Sequence, residues 1–227
     1  MESQKPKIAM YVKRPFGEKL NASFDFLKEN WKLLLKFTTY LLLPLCLIQA
    51  LSLNGLMSGA LSISAIASST AMAASSSSLI AFGSYYGLYM FLYLIGIILL
   101  TSLVYGLIRT YNEREERLQG VTLGMLKPRL FRNIKRLLLM TGACILLVLF
   151  VGIFVGLLVA LTPFTLFLTI PFIIAFSVPL ALLAPIYLFE DITLMEAFKK
   201  TFRLGFATWG GVFLVSLLMG IIANVLQ

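Results

Sequence analysis

Three long uncharged stretches, 37–108, 138–189 and 204–227, alternate with three blocks that hold every ionised side chain. Residues 1–36 carry eight Lys/Arg and four acids, 109–136 carry eight and three, and 190–203 carry three of each. A charge at mid-bilayer costs about 2.5–3.5 kcal/mol on insertion scales, so helices can cross a membrane only in the uncharged stretches. About 20 apolar residues cross the hydrocarbon. Five spans fit, at roughly 33–53, 85–108, 137–161, 164–188 and 209–226. Two spans separate each charged block from the next, so all three blocks share one side. Their excess of Lys and Arg makes that side cytoplasmic and predicts a cytoplasmic N-terminus. The far side receives a tight turn near Thr162-Pro163 and the segment from about 54 to 84, which contains AIASSTAMAASSSS. Uncharged and rich in Ser and Ala, that segment reads as a flexible or loosely helical cover.

The charged blocks have a periodicity of their own. In RPFGEKLNASFDFLKENWKLLL (14–35), Phe16, Leu20, Phe24, Leu27 and Trp31 follow at steps of four, four, three and four, one face of a helix. A shift of 178 residues lays Leu194, Phe198, Phe202, Gly205 and Trp209 over them, and Glu196 over Glu18. A shift of 103 brings LKENWKLLL over LFRNIKRLLL more weakly, with Pro128 breaking the helix upstream so that this copy is shorter or bent. Each copy reads as an amphipathic helix on the cytoplasmic interface that feeds directly into a span. Thr193 and Glu196 make a T-x-x-E capping box for the third, and Thr122 can cap the second. Trp31 and Trp209 fall at the depth indole rings favour. The expected fold is therefore an all-α polytopic membrane protein, one domain over 1–227. Its repeat units cover about 14–108, 121–188 and 192–227, the last incomplete. Three such units would make six spans. With five in view, the expectation is a chain that once continued through a sixth, or a C-terminus lying at the outer surface.

Composition supports the bilayer as solvent: of 227 residues 59% are hydrophobic and only 13% charged, against about 25% charged in a soluble domain. A net charge of +9 on a soluble protein would suggest nucleic acid. Here the bases cluster beside apolar runs, so anionic headgroups are the expected partners and nucleic acid is not. Headgroup or partner contact is assigned to Lys28, Lys32, Arg132, Lys135, Arg136, Lys199, Lys200 and Arg203, with Trp31 and Trp209 as interfacial anchors. A membrane-protein partner or a homo-oligomer is the further possibility. The first thirty residues are polar and basic, without a cleavable leader, so the run from Leu33 is expected to act as an uncleaved anchor.

The spans offer little chemistry. The chain has no His, the commonest general base and metal ligand. No acid or base lies mid-membrane for a proton relay. Cys46 and Cys144 sit in apolar runs and read as small core residues, with no metal spacing. No catalytic residue, metal site or cofactor is assigned, and the chain is expected not to be an enzyme. Pro44, Pro171 and Pro179 should kink spans one and four and free backbone carbonyls. Gly152 and Gly156 form a G-x-x-x-G pair that reads as a helix-packing face. Two functions fit. One is an envelope scaffold or accessory protein with lipid- or partner-binding surface helices. The alternative is a small transporter or lipid-translocating permease with a cavity lined by Gln49, Ser177 and freed carbonyls.

PIYLFEDITLMEAFKKTFRLGFATWG (185–210) resembles a segment of bacterial six-span proteins, the glycerophosphodiester phosphodiesterase membrane-domain group and its relatives. The resemblance rests on Pro185, Glu190, Ala197, Thr201, Leu204 and Gly205, and FGEKLNASFDFLKENWKLLL is similar to that group's opening helix. It implies a six-helix multi-pass protein of the bacterial inner membrane. Some members carry a fused soluble hydrolase. This chain has no such domain and no His, so the resemblance implies no phosphodiesterase activity.

Overall fold

The computed structural model describes residues 6–10, 12–67, 75–162 and 164–225, the side chains of 62–67 and 75–78 excepted. Among them are seven helices and no strand: α1 (Phe16–Ala67), α2 (Ser75–Glu113), α3 (Leu123–Leu161), α4 (Thr165–Leu180), α5 (Leu183–Phe189), α6 (Leu194–Ala207) and α7 (Trp209–Val225). Four stretches are long and apolar enough to cross a membrane: Phe16–Leu61, Leu79–Glu113, Leu123–Leu161 and Thr165–Phe189. Helices α6 and α7 make a fifth if taken as one element bent by 90°. The chain is all-α, with the build of a multi-pass membrane protein. The proposed continuation past Gln227 and the turn at Pro163 lie outside the described residues.

Two compact units are present, one of residues 1–8 and 22–130, the other of 9–21 and 131–227. In the first, α1 and α2 run antiparallel over most of their length. Phe26 meets Tyr111 edge-on at 5.2 Å between ring centroids. A Cβ on Gly96 would lie 3.1 Å from Leu45, and one on Gly55 only 2.6 Å from the Tyr85 ring. Glycine at 55 is thus what lets the tyrosine ring lie against the α1 backbone. The described parts of the segment at 54–84 take the helical form of the expected cover. Helix α1 continues to Ala67 and α2 begins at Ser75, so the hairpin reaches well beyond the predicted span ends. Leu, Ile, Ala and Met support a helix there, and no proline interrupts it. Residues 68–74, the middle of that segment, lie outside the described residues.

Helix α1 is unbroken for 52 residues, about 78 Å at ~1.5 Å per residue, despite Pro44. The predicted surface helix and first span are therefore one continuous helix. Its expected apolar face is the exposed one: Trp31 is 55% exposed and Leu27 48%, while Asn30 and Phe37 turn inward. Pro128 does not break α3, which starts five residues before it, at Leu123, and runs through it. The carbonyl that Pro128 leaves without its N–H belongs to Gly124, in the first turn, where helix bonds are least constrained. Thr122 does bound the helix, its carbonyl accepting from the N–H groups of Met125 and Leu126 at 3.2 and 3.3 Å.

In the second unit, Leu183, Tyr187 and Ala197 form a buried centre with Met140, Cys144 and Phe198 packed against it. Helix α6 turns Ala197, Thr201 and Gly205 inward, residues four apart on one face. Its N-terminus carries the expected capping box: the Thr193 hydroxyl accepts from the Glu196 N–H, and the Glu196 carboxylate accepts from the Thr193 N–H at 3.0 Å. That N–H, together with the Thr193 hydroxyl, holds the Glu196 carboxyl below the usual carboxylate range. The span predicted over 164–188 is interrupted at Ala181-Leu182, just after Pro179, whereas Pro171 lies inside the continuous α4.

Candidate functional site

Ionised groups in this fold divide into those committed inside the protein and those left outward. In the first unit the acids are largely committed. Glu113 takes Arg109 at 3.0 Å and also Arg129. Glu29 takes Arg117 at 2.7 Å, which raises the guanidinium's affinity for its proton further. The buried Tyr111 hydroxyl donates to Glu29 at 3.2 Å and accepts the Ile8 N–H at 3.3 Å. Lys7 donates to the carbonyls of Asn112 and Arg114, closing the C-terminal end of α2 with a cation as the helix dipole favours.

In the second unit Arg136 organises the α5–α6 connection. Its guanidinium donates to the carbonyls of Tyr187 and Ile192 at 2.6 and 2.7 Å and to Asp191 at 3.2 Å. It also lies 4.1 Å from the centroid of the Tyr187 ring. Asp191 holds a left-handed backbone, φ 53°. Arg132 approaches the same carboxylate at 3.4 Å, and Lys200 pairs with Glu190 at 2.6 Å. Three of the eight bases assigned to headgroups, Arg132, Arg136 and Lys200, are thus engaged by the protein's own acids. The periodicity could not separate them, because Asp191 sits in a different charged block from Arg132 and Arg136, and Glu190 lies ten residues before Lys200, ahead of the start of α6.

Lys28, Lys32, Lys135, Lys199 and Arg203 are exposed, and among the described residues none meets a carboxylate at ion-pair distance. Lys199, Lys200 and Arg203 line one shallow cavity of about 240 Å³ with Glu196. Lys28 lines another of about 460 Å³ with Glu29 and Arg117.

A cavity of about 1000 Å³ is an open groove along α1. Along α1 its lining runs from Lys32 and Lys36 through Thr39 and Tyr40 to Leu43 and Pro44, and Leu123 at the start of α3 also borders it. The Lys32 ammonium sits 5.9 Å from the Trp31 ring centroid, so the expected anchor holds the neighbouring cation. Lys36 was not assigned from the sequence. Its signal was available, since it is the last charge before the uncharged stretch and lies one turn from Lys32 on the same face.

The other anchor has a different task. Pro179 has no N–H for the carbonyl of Ala175, four residues earlier. The Trp209 indole N–H donates to that carbonyl at 3.1 Å. Trp209→Phe should therefore leave it unpaired and lower stability by about 1 kcal/mol, within the range for hydrogen bonds inside membrane proteins. The shift in thermal midpoint in detergent would measure it, and an unchanged midpoint would show that the bond contributes nothing. Ser177, assigned to a transport cavity, donates to the Ile174 carbonyl of its own helix at 2.9 Å. Gln49 is half-buried in the first unit. A Cβ built on Gly152 or Gly156 meets no atom, so the expected glycine packing face on α3 is not used within the described chain. Among the described residues no group of three or more His, Cys, Asp or Glu is placed to hold a metal. No family model, curated protein or solved structure matches the chain.

Proposed function

We propose that this chain is a non-enzymatic multi-pass protein of the bacterial inner membrane, with its N-terminus cytoplasmic, that holds anionic lipid headgroups in an envelope scaffold or accessory role. The observation that carries the reading is the division of its charges. Glu29, Glu113, Glu116, Glu190, Asp191 and Glu196 are engaged with arginines, Lys200 or a backbone N–H, while Lys28, Lys32, Lys36, Lys135, Lys199 and Arg203 remain exposed beside long uncharged helices. A basic residue near an anionic leaflet contributes about 1 kcal/mol of attraction, so several acting together retain acidic lipid. The resemblance to the six-span membrane-domain group agrees with this placement and supplies no chemistry beyond it. The permease reading has less support, because the carbonyl freed by Pro179 is already occupied by Trp209.

Neutralising Lys28, Lys32, Lys135 and Lys199 together by Gln tests the reading without touching Arg136. Purified from membranes of mixed composition, the variant should carry several-fold less anionic lipid than the parent and unchanged zwitterionic lipid. Equal lipid profiles would remove the basis for the proposal.

A further inference from the structure

We propose that the groove on α1 seats one two-chain anionic glycerophospholipid, its phosphate on Lys32 and Lys36 and its acyl chains toward Leu43 and Pro44. This rests on the anionic-lipid reading above and names a single site within it.

The order of chemistry along the helix specifies the occupant. Lys32 and Lys36 are one turn apart and offer two ammonium groups to one phosphate. Thr39 and Tyr40 bring hydroxyls to the next turn, about 6 Å beyond Lys36 at ~1.5 Å per residue, the depth of the ester linkages below a phosphate. Leu43 and Pro44 follow, and no charge occurs again until Arg109. From Lys32 to Pro44 the groove covers about 18 Å of helix, close to one leaflet of a hydrocarbon core ~30 Å thick plus its headgroup border. A soluble phosphate would leave the apolar end empty, and a neutral lipid would leave both ammonium groups without an anion. The volume of about 1000 Å³ is at the upper end of the usual ~300–1,000 Å³ for small-molecule sites, as a bulky amphiphile requires.

Native mass spectrometry of the full chain in detergent would count lipids retained after exchange against phosphatidylglycerol or phosphatidylcholine of the same chain length. One phosphatidylglycerol per chain should persist, with at least tenfold preference over phosphatidylcholine. Lys32→Gln with Lys36→Gln should reduce its retention at least tenfold. Leu43→Trp, which fills the apolar end, should reduce it at least fivefold, and Lys13→Gln with Lys127→Gln, outside both the groove and the assigned headgroup contacts, less than twofold. Circular dichroism of each variant controls for folding, and all these positions are exposed. Equal losses from the two double variants, or no loss from either, would overturn the groove. The wider headgroup reading stands or falls separately, on the quadruple Gln variant above. Displacement of the lipid by millimolar glycerol phosphate would overturn the role given to the acyl chains.

Discussion

Gly205→Leu is expected to destabilise the second unit by about 3 kcal/mol or more, at the upper end of the cost of overpacking. A Cβ at 205 would stand 2.5 Å from the Cα and 2.6 Å from the Cβ of Pro179. The first of these is backbone, so no side-chain rotation relieves the clash. Helices α4 and α6 must separate or one must shift. Even Gly205→Ala should cost about 1–3 kcal/mol, although alanine is the better helix former by ~1 kcal/mol. Gly210→Ala provides the control, since a Cβ there meets nothing within 4 Å. Unfolding by denaturing detergent in mixed micelles reads the difference. Similar midpoints for the 205 and 210 variants would refute the contact.

The second large effect is expected at Arg136. Arg136→Ala removes the donor to two backbone carbonyls and the partner of Asp191 at once. A buried acceptor left unpaired costs about 1–3 kcal/mol. Because the Asp191 side chain is 36% exposed, water recovers much of its share, and about 2–4 kcal/mol is the expected total. Arg136→Lys should recover little, because an ammonium cannot present the planar fork that reaches both carbonyls and the carboxylate. Asp191→Asn keeps a residue that tolerates positive φ and should cost only about 1 kcal/mol or less. Limited proteolysis adds a local readout, since the α5–α6 connection at 190–193 should become cleavable in Arg136→Ala before the rest of the chain unfolds. A variant as stable and protease-resistant as the parent would mean that the clamp holds nothing.

The repeat read between 14–35 and 192–213 illustrates what the pattern could and could not settle. Both segments have bulky apolar residues at matched positions and a tryptophan at the same place, yet their backbones differ. Helix α1 passes through Trp31 without interruption, while the chain turns by 90° where α6 gives way to α7 at Trp209. The residues around the two tryptophans explain this. Leu27, Lys32 and Leu33 support a helix, whereas Gly205, Gly210 and Gly211 stand at the matching positions of the later segment. Each glycine in a helix interior costs about 1 kcal/mol relative to alanine, and a bend there loses little. Hydrophobic periodicity records which face is apolar and is insensitive to this difference in stiffness.

The multi-pass build was legible in the residue order alone. Charges confined to three blocks and uncharged runs between them leave membrane-crossing helices as the economical arrangement, and the structure has four such stretches or five. Residue order also determined the Thr193–Glu196 cap, which needs only residues three apart on one helix. Only the tertiary structure decided which charges are committed inward: Arg136 to the α5–α6 connection, Glu29 to Arg117, and Lys32 with Lys36 left open at the mouth of a groove. Those outcomes depend on partners as many as 88 residues apart along the chain, and local spacing carries no information about separations of that kind.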